Sequence, residues 1–208
     1  MFFGLIKYKQ DRIRPTFLQQ TKFTSFQFNT LKNTLTLSST NLIQNDINNI
    51  LQIVDLRPLG CPVYQYAALV KKLFINNIEM SQFKGPIYAI FDTGTTGCLM
   101  DDSIKNDPLV PSLIRKVSVV LECNDGNEIQ LTAQATRENI FVVSGKKIPW
   151  FNNNNNKAKK TMLQDMFNLR KNSYDSIYNA PQIVVLGILF FDSKVFTVDI
   201  DAGKMHIV

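Results

Sequence analysis

Histidine and tryptophan are nearly missing from this chain of 208 residues: each occurs once, as His206 and Trp150. A nucleophilic triad built on histidine therefore has a single candidate base, and His206 lies in a terminal strand-like segment, where it reads as a strand residue with one exposed face. Cysteine is sparse too. Cys61, Cys98 and Cys123 are too widely spaced for a zinc pattern, and leave open either one disulfide with a free thiol or three buried thiols. Long apolar runs are lacking, since none approaches the roughly 18 residues that a membrane span needs. The short apolar start, residues 1–6, is followed rather than preceded by Lys7, Lys9, Arg12 and Arg14, the reverse of a secretory signal. No signal peptide is expected, and the abrupt basic start resembles the middle of a longer protein.

Charge of one sign is modest, with a formal net of +6. The basic residues gather at 7–14 and at Lys157, Lys159, Lys160, Arg170 and Lys171. The second group adjoins five consecutive asparagines at 152–156, a composition that cannot bury apolar surface. A solvated, mobile insertion at about 151–160 is expected there, rather than a nucleic-acid face, which would interleave such charge with aromatics. An apolar content of 45% is that of a globular protein with a core.

What is present is a succession of short alternating segments. Residues 23–29 and 34–39 read as a hairpin, and residues 42–56 carry apolar residues at helical spacing behind a Thr40-Asn41 cap. Residues 64–75 read as a long strand closed by the Asn76-Asn77 turn, with 78–80 pairing back. Residues 117–123 and 128–133 flank an Asp125-Gly126 turn, and 140–143 is a further short strand. A loop and short helix are expected over 100–116, and an amphipathic helix over 161–171. The chain closes with strands at 182–187, 195–199 and 204–208. Many short strands, polar turns and few helices predict an all-β fold of closed or sandwiched sheets.

One strand candidate, residues 87–91, delivers Asp92-Thr93-Gly94-Thr95-Thr96-Gly97. An acid leaving a buried strand keeps its charge only where donors surround it. Gly94 removes a Cβ that would keep its N–H from the Asp92 carboxylate, and Thr95 offers a hydroxyl. Such a loop holds an acid rigidly and tunes its ionisation.

This loop, followed by Val184-Val185-Leu186-Gly187 and the closing strands, resembles the second active-site motif and carboxy-terminal lobe of the pepsin-like aspartic proteases. The likeness covers most of the chain. Residues 1–60 resemble the strands joining the two lobes together with a residual segment of the first lobe, and 61–208 the C-terminal catalytic lobe. The resemblance implies a β-barrel or sandwich with a ψ-loop and short helices. It implies Asp92 as a catalytic acid, Thr93 as a brace between two active-site loops, Gly94 and Thr95 as donors to the carboxylate, and Gly187 on the strand packed against the loop. Such enzymes use two aspartates sharing one proton across a bound water, because carboxylates about 3 Å apart cannot both ionise. No cofactor and no metal are implied. The partners implied are a polypeptide substrate and a source of the second carboxylate, either the missing first lobe or a second copy of the chain; a non-catalytic binding member is the alternative. No nucleic-acid partner and no membrane span are expected. The family's usual setting is secreted or acidic endomembrane. Ile188 departs from pepsin, which has an acidic residue there, and the Asn/Lys insertion has no counterpart in the family.

Overall fold

A computed structural model describes residues 5, 16–44, 47–61, 63–136, 141–146 and 181–208. The fold is all-β, and the described residues form two packed sheets with two one-turn α-helices. A one-turn helix α1 (Phe17–Gln20) opens the described chain, capped by Thr16 and Gln19 in a reciprocal capping box. The first sheet then begins with the hairpin β1 (Ser25–Asn29) and β2 (Thr34–Ser38), paired in register from Ser25 opposite Ser38 to Asn29 opposite Thr34. Asn33 supplies the positive φ of the connecting turn. A short β3 (Ile50–Gln52) follows.

The second sheet contains β4 (Ala67–Ile75), β5 (Ile78–Glu79), β6 (Ile87–Phe91) and β7 (Cys98–Asp101). Asn76 and Asn77 both take positive φ between β4 and β5, the geometry that this hairpin turn demands. A single helical turn α2 (Asp102–Lys105), capped by the Asp101 carboxylate on the Ser103 N–H, lies in the expected loop. Then come β8 (Lys116–Glu122), β9 (Glu128–Gln134), β10 (Val143–Lys146) and β11 (Gln182–Leu186). The chain returns to the first sheet with β12 (Val195–Asp199) and β13 (Lys204–Ile207).

The strand order is β2-β1-β12-β13-β3 in one sheet and β10-β7-β11-β6-β4-β8-β9 in the other, with β5 beside β4. One continuous core lies between them. Phe26, Leu51, Phe196, Val198 and Met205 from the first sheet meet Val70, Ala89, Phe91, Val119, Leu121 and Val184 from the second. Phe91 anchors this junction, with its ring centroid 5.5 Å from Phe196 and 5.8 Å from Phe191. A smaller cluster (Leu56, Cys61, Ala67, Ile90, Ile183 and Val185) fills the other face of the second sheet.

Two sequence expectations are corrected. The helical spacing over 42–56 does not produce a helix among the described residues; β3 lies within this region, and a 3-10 turn at Arg57–Leu59 follows it. Tertiary pairing overrides periodicity here, because Leu51 is opposite Met205 on β13 and both are fully buried. Strand β10 begins only at Val143, so Phe141 and Val142 precede it, and Ile140 lies outside the described residues. The asparagine tract, the lysine cluster after it, the amphipathic segment at 161–171 and the basic stretch at 7–14 also lie outside the described residues.

All three thiols are free and buried. Burial pushes Cys98 well above the ordinary thiol range and Cys123 to about 11. His206 sits half-buried on β13 opposite Thr197 and Ile50, and burial lowers its pKa.

Candidate functional site

The Asp92 loop exists because β6 and β7, the strands that it joins, are not neighbours. Strand β11 lies between them, parallel to β6 and antiparallel to β7, so the loop crosses the end of an intervening strand. This is the ψ arrangement. Residues 92–97 must therefore pack onto the exit of β11, and a series of backbone bonds does this. The Asp92 N–H donates to Leu186 O at 3.0 Å, and the Gly187 N–H to Gly97 O at 2.9 Å. The Ile188 N–H reaches Thr95 O at 2.7 Å, and the Leu189 N–H reaches Thr96 O at 3.3 Å.

These bonds leave no room for a side chain at Gly187. A Cβ there would sit 2.3 Å from Gly97 O and 2.4 Å from Thr95 O, both backbone atoms. Gly97 is equally constrained from the other side, where a Cβ would stand 2.0 Å from Val142 O. The Cys98 N–H also donates to that carbonyl, at 3.0 Å. The Val142 contact was not legible in the sequence, because its only signal is the glycine at 97.

Within this frame the carboxylate is held by its own loop. Asp92 Oδ1 accepts the Gly94 N–H at 2.9 Å, and Asp92 Oδ2 accepts the Thr95 hydroxyl at 2.9 Å. The Thr95 N–H closes the turn on Asp92 O at 3.0 Å. Gly94 serves close approach, since a Cβ there would lie 3.1 Å from Asp92 Oδ1. Asp92, Thr93, Gly94 and Thr96 are exposed, Thr95 is half-buried, and Gly97 and Gly187 are buried. The loop thus presents one fixed carboxylate at the surface, on a rigid strand end backed by the aromatic core. Neither of its two side-chain hydrogen bonds comes from a second carboxyl group.

Asp92, Gly94, Thr95 and Gly187 are thereby brought together, and Thr93 stands exposed beside them. Among the described residues no group of three or more His, Cys, Asp or Glu side chains converges as a metal site would require. None of their helices is long and apolar enough to cross a membrane. A cleft of about 380 Å³ lies elsewhere, walled by Leu18, Lys22, Phe23, Arg57, Tyr64 and Asp201 among others. Asp92 is not among its walls. Arg57 stacks over the Tyr64 ring at 5.2 Å there, while its guanidinium grips Asp55 at 2.7 Å and holds that carboxyl below its usual range.

No protein-family profile matches the chain, and no curated protein matches it in sequence. Among solved structures it is similar to basic 7S globulin from soybean, at 9% sequence identity and a TM-score of 0.46. That similarity covers 88% of this chain and 50% of the globulin chain, so this chain spans about half the length of that neighbour.

Proposed function

We propose that this chain is one lobe of a pepsin-like aspartic endopeptidase and that Asp92 is one half of its catalytic pair. The observation that carries this reading is the Asp92 carboxylate, accepting from Gly94 and Thr95 while its loop is clamped onto the Leu186-Gly187 exit of β11. An ordinary surface turn has no need of two glycines whose Cβ atoms would collide with backbone. A loop that must hold a reacting group in one place does, because misplacement by about 1 Å can cost a factor of 10² in rate.

On this reading Thr95 and Gly94 fix the orientation of the carboxylate, leaving its outward face for a water molecule and a second carboxyl. The ionised partner of the pair accepts a proton from that water as it attacks the scissile carbonyl. The protonated partner hydrogen-bonds the carbonyl oxygen. Thr93, which is exposed, braces the loop that supplies the second acid on this reading. On the same reading residues 1–60 correspond to the segment that joins this lobe to the first, with a remnant of that first lobe, and a first lobe, or failing that a second copy of the chain, brings the other aspartate. The substrate is a polypeptide. A lone carboxylate has no acid beside it, so the separate chain is essentially inactive when dilute.

The test is a peptide-cleavage assay across acidic and neutral pH, run on the chain extended by whatever sequence is encoded ahead of Met1 and, separately, on residues 1–208 over a concentration series. Activity in the extended protein that falls at least about 10³-fold on Asp92→Asn is the expected result. Activity of 1–208 rising with the square of concentration assigns the second acid to a second copy. Cleavage undiminished by Asp92→Asn removes the proposal. A second reading, a binding module on the same fold, is favoured by the exposure of Asp92, Thr93, Gly94 and Thr96 together, and predicts partner binding that survives Asp92→Asn.

A further inference from the structure

The Asp92 loop is supported from two sides by chain remote in sequence. Behind it the 3-10 turn Ile188–Phe191 leaves β11, and the N–H groups of Ile188 and Leu189 donate to Thr95 O and Thr96 O. At its exit the Val142 carbonyl accepts the Cys98 N–H at 3.0 Å, beside the place where Gly97 admits no Cβ.

The two supports meet in one side chain. Phe141 is 6% exposed, and its ring lies edge-on to Phe190, with centroids 6.1 Å apart and planes at 70°. Phe190 is the third residue of the turn, and its own N–H bonds Gly187 O at 3.0 Å. Phe141 also immediately precedes Val142, and beyond it β10 runs parallel to β7, with Val143 opposite Cys98. The neighbouring Phe191 is seated differently, against Phe91 and Phe196 at the junction of the two sheets. Phe191 thus fixes the turn to the core, whereas Phe141 fixes it to the chain that holds the exit of the loop.

We propose that Phe141 is a positioning residue for Asp92. Its ring couples the turn under Thr95 and Thr96 to the Val142 carbonyl at Cys98, so that one buried side chain steadies the loop at both of its supports. Phe141 acts through that turn and through Val142, not on the carboxylate itself. A smaller side chain at 141 leaves a void into which the turn and the Val142 backbone relax, because dispersion contacts are lost over less than an ångström. The backbone hydrogen bonds carry either shift to the loop. That Phe141 sets a rate rests on the catalytic reading of Asp92; that it sets the place of the loop does not. On the catalytic reading the loss falls on kcat, since a reacting group is displaced while the rest of the substrate contacts are kept.

Phe141→Leu tests this beside Phe83→Leu, the same change at a site 8% exposed that lies ahead of β6 rather than beyond its end. Amide hydrogen exchange is followed on residues 1–208. Phe141→Leu is expected to speed exchange of the Ile188 and Cys98 N–H groups about tenfold or more relative to Val119 within β8, and Phe83→Leu to leave that ratio within about twofold. Where Phe141→Leu does not fold, Phe141→Met keeps most of the volume and is read in the same way. In the chain extended ahead of Met1, Phe141→Leu should lower kcat for peptide cleavage about tenfold or more with KM changed less than about threefold. Phe83→Leu should leave kcat within about twofold. Adding Phe190→Leu to Phe141→Leu should do little further harm, since both remove one contact. Exchange at Ile188 and Cys98 that Phe141→Leu does not change, or that Phe83→Leu speeds equally, overturns the proposal. So does faster exchange with kcat undiminished. A wild-type extended protein that cleaves nothing removes the catalytic reading instead, and the exchange result then decides whether Phe141 places the loop.

Discussion

The molecule contains two aspartate turns that look alike over a few residues, and their surroundings separate them. Both leave an apolar strand, β6 for Asp92 and β8 for Asp125, and both carboxylates accept a backbone N–H from two residues ahead. Gly94 donates to Asp92 at 2.9 Å and Asn127 to Asp125 at 3.1 Å. Glycine serves a different purpose in each. Gly126 is needed for its torsion, φ +83, and a Cβ there would meet nothing within 4 Å. Gly187 and Gly97 are needed for the space that they leave, with backbone oxygens closer than any side chain allows. The Asp125 turn links adjacent strands β8 and β9 and touches remote chain on one side, where the Asn49 N–H reaches Asp125 Oδ2 at 2.9 Å and the Asn124 N–H reaches Ile50 O at 2.8 Å. The Asp92 loop is pinned from two sides by chain remote in sequence. An acid in the second setting is delivered over the end of an intervening strand; an acid in the first closes a hairpin and ties it to the chain at 49–50.

Gly187→Ala breaks this contrast most severely. Its methyl has only backbone to displace, so a loss of about 3 kcal/mol or more is expected in urea unfolding, or failure to fold. A loss below about 1 kcal/mol would mean that the loop moves freely on β11, and the Asp92 turn would then be no different from the hairpin tip. Gly126→Ala is milder, since only the left-handed torsion is penalised, and about 1 kcal/mol is expected. Thr95→Val retains the shape and removes the hydroxyl donor to a carboxylate near the surface. It should lower stability by less than about 1 kcal/mol while lowering any cleavage activity far more, a split that a purely structural turn would not produce. The smallest effect concerns acid. The Asn49 N–H, bonded to Asp125 Oδ2 at 2.9 Å, holds the Asp125 carboxyl below its ordinary value of 3.8. Its contribution is therefore present above that value and lost as the pH falls through the lowered one. Asp125→Ala should lower stability slightly at neutral pH and flatten the profile in that acid window, where the wild type loses the contribution.

Much of this was legible in the sequence because it is local. The hairpins β1–β2, β4–β5 and β8–β9 are marked by alternation and by asparagine or glycine at the turns, and the donors to Asp92 lie within three residues of it. Gly187 could be placed beside the loop only through resemblance, since nothing within its own neighbourhood reports a clash with Thr95 and Gly97. Strand β7 was missed. Cys98-Leu99-Met100-Asp101 is short and borders a helix cap, and it is a strand because Leu186, Val185 and Val184 pair with it. The error over 42–56 has the same origin. Ile43, Leu51, Ile53 and Leu56 are buried by partners more than a hundred residues away or by the far side of a sheet, and their helical spacing is incidental.

The first sheet has a consequence for the order of assembly. Strand β1 needs β12, and β3 needs β13, so Gln27 bonds Thr197 across 170 positions of sequence and Leu51 waits for Met205. Loop-closure entropy must be overcome before any of these contacts stabilises the chain. As the polypeptide leaves the ribosome, the β1–β2 hairpin can form early, but it remains a two-stranded ribbon with its β1 edge bare until β12 has been made. Stop codons or proteolytic nicks within the final dozen positions should therefore damage the earliest-made strands as well as the last, and deletion of β13 alone would leave β3 without its partner in the sheet.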